Sequence, residues 1–450
     1  MTGKPASKGI GAFGAAVTIV GIVVGASIYI LPGEIASTAG PGVVLSYGVA
    51  ALLAVLSCIV AAQLGSVYPV AGASFVAIGR LVSPAFSFLC VWVMIGAAVV
   101  AVALLGYGFA GYVGRWVPGV SRPLLAAGLI VFLGVLNLGG SREMLAAQTL
   151  LVAFVLVSLG IFAVTGVAQG HQEYLTPFLP NGLGPVISGA IPAYFSFAGF
   201  MVIIELSGEV RRPERNIPLA LAISFTVVAA VYALVALAVV AQIPWTELGA
   251  IGAPVTEAAS RTLPSFLVQA IAVSAVAATT GSANVILKGY SRDVLALARC
   301  QALPRQLAWV NSKTDAPIGA VLTMTVLSLC ALTVGAKLVD YATFVVVGLM
   351  TLQMGAGVAA LRLPWRDRAR YMSSEFRIRR PALVFFSLAL VVLSAVFIII
   401  AAAGSPKATA AGVAFIAIGA AYYAARRIWL KRQAISLEAE LARELGFDKT

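Results

Sequence analysis

Gly21-Ile-Val-Val-Gly25-Ala-Ser27-Ile-Tyr29-Ile-Leu-Pro32-Gly33 is an apolar run with small residues at its middle and a proline just beyond. Far downstream, Pro192-Ala-Tyr-Phe195-Ser-Phe197-Ala-Gly199-Phe200 has the same character. Both stretches sit inside runs long enough to cross a bilayer as helices. Small residues and a proline at mid-depth weaken a helix there. Unwinding it frees backbone N–H and C=O groups, each costing several kcal/mol in hydrocarbon unless something pairs with it.

Apolar runs recur around these two stretches, near 10–32, 42–63, 85–113, 122–138, 146–168, 185–209, 217–241, 264–290, 316–335, 338–361, 382–403 and 409–430. We number them spans one to twelve. The two interrupted stretches fall in spans one and six, five spans apart, as in a five-plus-five inverted repeat whose halves each open with a broken helix. The expected fold is an all-α membrane protein of about twelve transmembrane helices. Residues 1–9 form an N-terminal tail, 10–168 and 185–361 the two repeats, 382–430 two further helices and 431–450 a C-terminal tail. The run after Lys4 and Lys8 leads into further spans, so it reads as a first helix and not a cleavable leader. Leu437–Leu445 reads as a short charged helix, solvated at the end of the chain.

Composition agrees. Hydrophobic residues make up 61% of the 450, charged residues 10%, and the mean hydropathy is +1.00; a soluble domain carries roughly 25% charged residues. A net charge of +13 could suggest a nucleic-acid partner, but its placement argues otherwise. With the N-terminus inside, only Arg115, Arg122, Arg261, Lys337 and Lys407 of the 30 Lys and Arg fall outside. Basic loops stay cytoplasmic during insertion, so the charge is a topology signal, with some attraction to anionic membrane lipid. Cys58, Cys90, Cys300 and Cys330 form no C-x-x-C pair and read as buried small hydrophobes. The single histidine, His171, sits in an outer loop. With one loop histidine, no H-E-x-x-H and no phosphate-binding glycine loop, neither an enzyme nor an ATP-driven pump is favoured.

Each helix restart would offer N–H donors and a positive dipole end to a carboxylate, and each helix stop would offer carbonyls to an ammonium or a metal cation. Two facing breaks are therefore suited to a zwitterion. At this point the motifs resemble a known family. Val24-Gly25-Ala26-Ser27-Ile28-Tyr29, followed by Leu31-Pro32-Gly33-Glu34, resembles the I-G-S-G-I-F break of the amino acid–polyamine–organocation (APC) superfamily. Gln63-Leu64-Gly65-Ser66-Val67-Tyr68-Pro69, with Ala71 and Gly72, is similar to that family's loop after span two. Gly208-Glu209-Val210-Arg211-Arg212-Pro213-Glu214-Arg215-Asn216-Ile217-Pro218 resembles its E-V-x-x-P-x-R-N-I-P loop, and Ser291 to Pro304 the end of span eight.

The resemblance, running from Ile10 to Arg380, implies an amino acid permease. It implies a substrate site at Val23, Gly25, Ala26, Ser27, Tyr29, Tyr107, Phe195, Ala198, Gly199 and Phe200. The amides of Ala26 and Ser27 would hold a carboxylate, and the carbonyls of Val23, Phe195 and Ala198 an amino group. Phe195, Phe200 and Tyr107 would form wall and gate. Ser27 and Tyr29 add hydroxyls where relatives carry glycine and phenylalanine, and Met201 stands where many carry an acid. Span five has no lysine at about Val155, against the lysine route to proton coupling. No cofactor is implied beyond a coupling Na+ or H+. Thr279 and Thr280 occupy the sodium-ligand stretch of span eight, and Glu205 and Lys288, both inside spans, could pair or relay a proton. A neutral amino acid is the expected substrate. A polyamine or organic-cation carrier, for which only Glu205 supplies a carboxylate, an exchanger, and a transport-dead sensor on the same fold are the alternatives. The oligomeric state is left open.

Overall fold

The computed structural model describes residues 10–25, 27–69, 73–139, 145–201, 210–312, 314 and 316–444. Among them the chain is helical, with no strand beyond one isolated bridge between Ile10 and Val210. Nine helical stretches are long and apolar enough to cross a membrane, the first of them, Ser27–Val67, running through spans one and two. Ala12–Val23, Arg122–Leu138 and Ile318–Leu332 are shorter apolar helices. Each of the twelve apolar runs holds helix.

Helix starts follow local chemistry. Proline stands in the first turn of the helices opening at Pro84, Arg122, Pro213, Arg380 and Pro406, where its missing N–H removes nothing. Ser83 caps the first of these by accepting from the Phe86 amide at 3.2 Å. Small residues then let neighbours close in. A Cβ on Gly96 would fall 2.3 Å from the Phe415 ring, and one on Gly419 would fall 2.4 Å from the Trp92 ring. Spans three and twelve thus exchange ring for glycine, and Trp92 Nε1 donates to the Phe415 carbonyl at 3.1 Å. Span eleven leaves Phe385, Leu388, Val392, Val396 and Ile399 exposed at helical spacing, a stripe suited to lipid.

The tail departs from expectation. Leu437–Glu444 is a helix, but Leu437 and Leu441 are fully buried, one turn apart, against helices of spans three, eight and twelve. Arg427 pairs with Glu438 at 2.8 Å beside them. A two-leucine face is enough to dock a short charged helix whose other face stays wet.

At the bundle end carrying most of the basic loops, the linker between spans ten and eleven is clasped to the end of span two. Asp367 accepts from Arg80 at 3.0 Å and from the Tyr68 hydroxyl at 2.9 Å. The Arg370 guanidinium lies over the Tyr68 ring at 5.6 Å. Gln63 donates to the Phe376 carbonyl and accepts from the Ile378 amide at 2.9 Å. Asp367 is nearly buried, so its loss is expected to cost about 3 kcal/mol. Cutting the half-exposed Arg115–Glu257 pair should cost under about 1 kcal/mol. Melting of Asp367→Ala and Glu257→Ala in detergent checks this; equal melting temperatures would mean the clasp adds nothing.

Candidate functional site

Span one stops being a helix at Val23 and resumes at Ser27. The Val24 amide still reaches Val20 at 2.7 Å, but Gly25 bonds back only to Val23, in a tight turn. Span six ends its first half at Phe195 and continues through a 3₁₀ turn, Ala198–Met201, after which residues 202–209 lie outside the described set. Ser196 and Phe197 bond to Ala193 and Tyr194, so the ladder tightens as it ends.

The two breaks touch. A Cβ on Gly199 would fall 2.9 Å from a Val23 methyl and 3.1 Å from the Val23 Cα. One on Gly25 would lie 2.3 Å from Ser282 Oγ on span eight. Only glycine permits this approach at either place. The Tyr232 hydroxyl, from span seven, sits between the breaks, 2.6 Å from the Val23 carbonyl and 3.1 Å from the Ser196 carbonyl.

A cavity opens beside the breaks, with about 80 Å³ open to the centres of water-sized molecules. Six of the sequence-predicted residues line it: Val23, Gly25, Ser27, Phe195, Ala198 and Gly199. Span three supplies Met94, Ala97, Ala98, Ala101 and Leu105, span eight Ser282, Ile286 and Tyr290, and span ten Val345 and Leu349. No charged side chain is among these described lining residues.

The other predicted residues are elsewhere. Tyr29 is buried away from the cavity, its hydroxyl 2.8 Å from Ser274 Oγ and its ring edge-on to Tyr112. Tyr107 donates to the Leu332 carbonyl at 2.8 Å and leans on Tyr341, between spans nine and ten. Phe200 packs on Phe197 and Phe225 behind the break. Thr279 and Thr280 donate to the carbonyls of Ala275 and Val276 on their own helix. Lys288 is half-buried on span eight. Ala26 and Glu205 lie outside the described residues. Sequence reading missed Tyr232 and Ser282; the available signal was a polar side chain at mid-span in an apolar helix. Ser282 Oγ is buried with no hydrogen-bond partner among the described residues.

Comparison with known proteins agrees with this architecture. A family model described as amino acid permease matches residues 10–425. An uncharacterized transporter of Mycobacterium tuberculosis is 30% identical over 428 residues, 94% of this chain and 92% of that one. Branched-chain amino acid permease BcaP of Bacillus subtilis is 26% identical over 366 residues, 76% of this chain and 78% of that one. Cationic amino acid transporter 8, vacuolar, of Arabidopsis thaliana is 29% identical over 327 residues, 68% of this chain and 55% of that one. This chain thus spans about half the length of the plant relative. The chain belongs to the amino acid permease family and is an integral membrane transporter, not an enzyme.

Proposed function

We propose that the protein is a secondary transporter that carries a neutral amino acid across the cell membrane by alternating access. In this reading its twelve spans cross the bilayer with both termini in the cytoplasm, and spans one to five and six to ten are related as inverted repeats. The observation that carries the substrate reading is the cavity wall. Its described polar side chains are Ser27, Ser196, Ser282 and Tyr290, and the rest are apolar or glycine. A charged substrate side chain would enter without a counter-charge and lose several kcal/mol of hydration. A zwitterionic head group finds the restart of span one at Ser27 for its carboxylate and the end of span six, at Phe195 and Ala198, for its ammonium. Tyr232 donates to the Val23 and Ser196 carbonyls from behind the cavity and so orients the ammonium side. Ala97, Ala98 and Ala101 leave room for an aliphatic side chain. The branched-chain permease of Bacillus subtilis is named for substrates of that kind; the plant relative is named for cationic ones, and the absence of a carboxylate among the described lining residues favours the first.

Three measurements test this reading. In a thermal-shift panel, leucine, valine, alanine or serine should stabilise the purified protein, and arginine or putrescine should not; tighter binding of a cation would reverse the assignment. Gly199→Val and Ser27→Val should fold yet show no substrate-dependent shift, since each crowds a break, while Tyr232→Phe should raise the apparent KM about tenfold. Wild-type uptake by all three would remove the site from the breaks. The coupling ion is proposed to be Na+ or H+. Thr279 and Thr280 spend their protons on their own helix, which leaves only oxygen lone pairs for sodium. Uptake into proteoliposomes that is unchanged without sodium, and unchanged again in Thr280→Ala, excludes a sodium site there.

A further inference from the structure

Behind the break of span six three buried side chains from three helices meet. Gln353, on the helix Leu338–Arg366, donates through Nε2 to the Tyr194 hydroxyl. Tyr194 lies 3.2 Å from Ser57 Oγ on the helix Val43–Val67 and donates to it. Ser57 shares its proton between Gln353 Oε1 and the Leu53 carbonyl, both at 2.9 Å. Each of the three groups gives and receives, so the bonds close into a ring running one way round. All three residues are 1% exposed. The Tyr194 ring rests edge-on against Phe397 of span eleven at 6.0 Å. In an apolar interior the Leu53 carbonyl competes only for the Ser57 proton, and bonds in such a closed chain strengthen one another.

The ring's place is what gives it a role. Tyr194 immediately precedes Phe195, the last residue of the first half of span six and part of the cavity wall. Gln353 follows Val345 and Leu349 at four-residue spacing on one helix face, and those two also line the cavity. Neither Gln353 nor Ser57 lines it. We propose that Gln353 and Ser57 are positioning residues: through Tyr194 they fix the broken end of span six against spans two and ten, and so hold the carbonyls of that end where a bound ammonium needs them. Beyond Phe195 the α-helical ladder gives way to tighter 3₁₀ bonds, which hold the helix end less firmly, and the ring adds a fixed anchor there. The inference rests on the cavity being the substrate site, and it holds whichever amino acid is carried.

The test compares Tyr194→Phe, Gln353→Leu, Ser57→Ala and the triple variant, with thermal stability and uptake measured for the amino acid that most stabilises the wild type. Each single variant strands a buried partner, so its melting temperature should fall. Its apparent KM should rise about tenfold with the maximal rate changed less. The triple variant strands nothing, so stability should return toward wild type while KM stays high. A stable triple variant with wild-type KM overturns the proposal, because the ring is then only a packing feature. Should the triple variant not fold, Tyr194→Phe decides: a lowered melting temperature with unchanged KM has the same meaning. A wild type that no amino acid stabilises overturns the cavity reading and this inference with it, and is recognised because the unmodified protein itself fails.

Discussion

A backbone carbonyl buried in hydrocarbon without a partner costs several kcal/mol, and this chain stops its helical ladder twice at mid-depth, at Val23 and at Phe195. Everything around the cavity answers that cost. Tight turns at Gly25 and Ser196 recover part of it. Tyr232 recovers more, but with one proton for two carbonyls it cannot satisfy both fully. What remains is a set of carbonyls with spare acceptor capacity beside an apolar cavity, the feature on which the proposed ammonium site rests. In the proposed function, the same groups that would destabilise an empty helix are the ones that attract the head group of a substrate.

The contact between Gly199 and Val23 adds a geometric limit. With no room for a Cβ between the breaks, their carbonyls are held within reach of one hydroxyl. In the proposed function, a ligand that engages one break therefore lies beside the other. A chain with alanine at Gly199 would separate them, and each break would then need its own partner.

Depth was legible in the sequence and azimuth was not. The apolar runs, the stopping points and the small residues at them could all be read from spacing and composition. Which side of a helix faces the cavity could not. Ser27 lines it, but Tyr29 is two residues on, about 200° round the helix, and so points into spans three and eight. Thr280 stands in the same relation to Ser282, about 200° away, while Thr279 shares the cavity stripe but is sealed one turn beyond it. In the 3₁₀ turn of span six, three residues per turn eclipse Phe200 with Phe197; the two rings stack 6.3 Å apart and leave Gly199 facing the cavity. The tail helix was misread for a different reason: its charges were counted, but the four-residue spacing of Leu437 and Leu441 was the better guide.

Azimuth and register then need a physical origin of their own. In water the hydrophobic effect rotates an amphipathic helix until its apolar face is buried. In lipid it exerts no such torque, because the tails are as apolar as leucine. The discriminating forces left are close packing at small residues and polar contacts that tolerate only one alignment. This molecule places both at separate depths. Asp367 with Arg80 and Tyr68 fixes span two against the span-ten linker at one end. The Ser57–Tyr194–Gln353 ring fixes span two, span six and span ten near the middle. Tyr232 fixes span seven to both breaks. Span two takes part in two of these clusters; span ten joins it directly in the ring and through Asp367, the residue after its last turn, in the other, so the pair is held at two heights. A helix pinned at two heights cannot rotate independently of its partner. The cavity face of span ten, Val345 and Leu349, is therefore set by polar contacts that never touch the cavity.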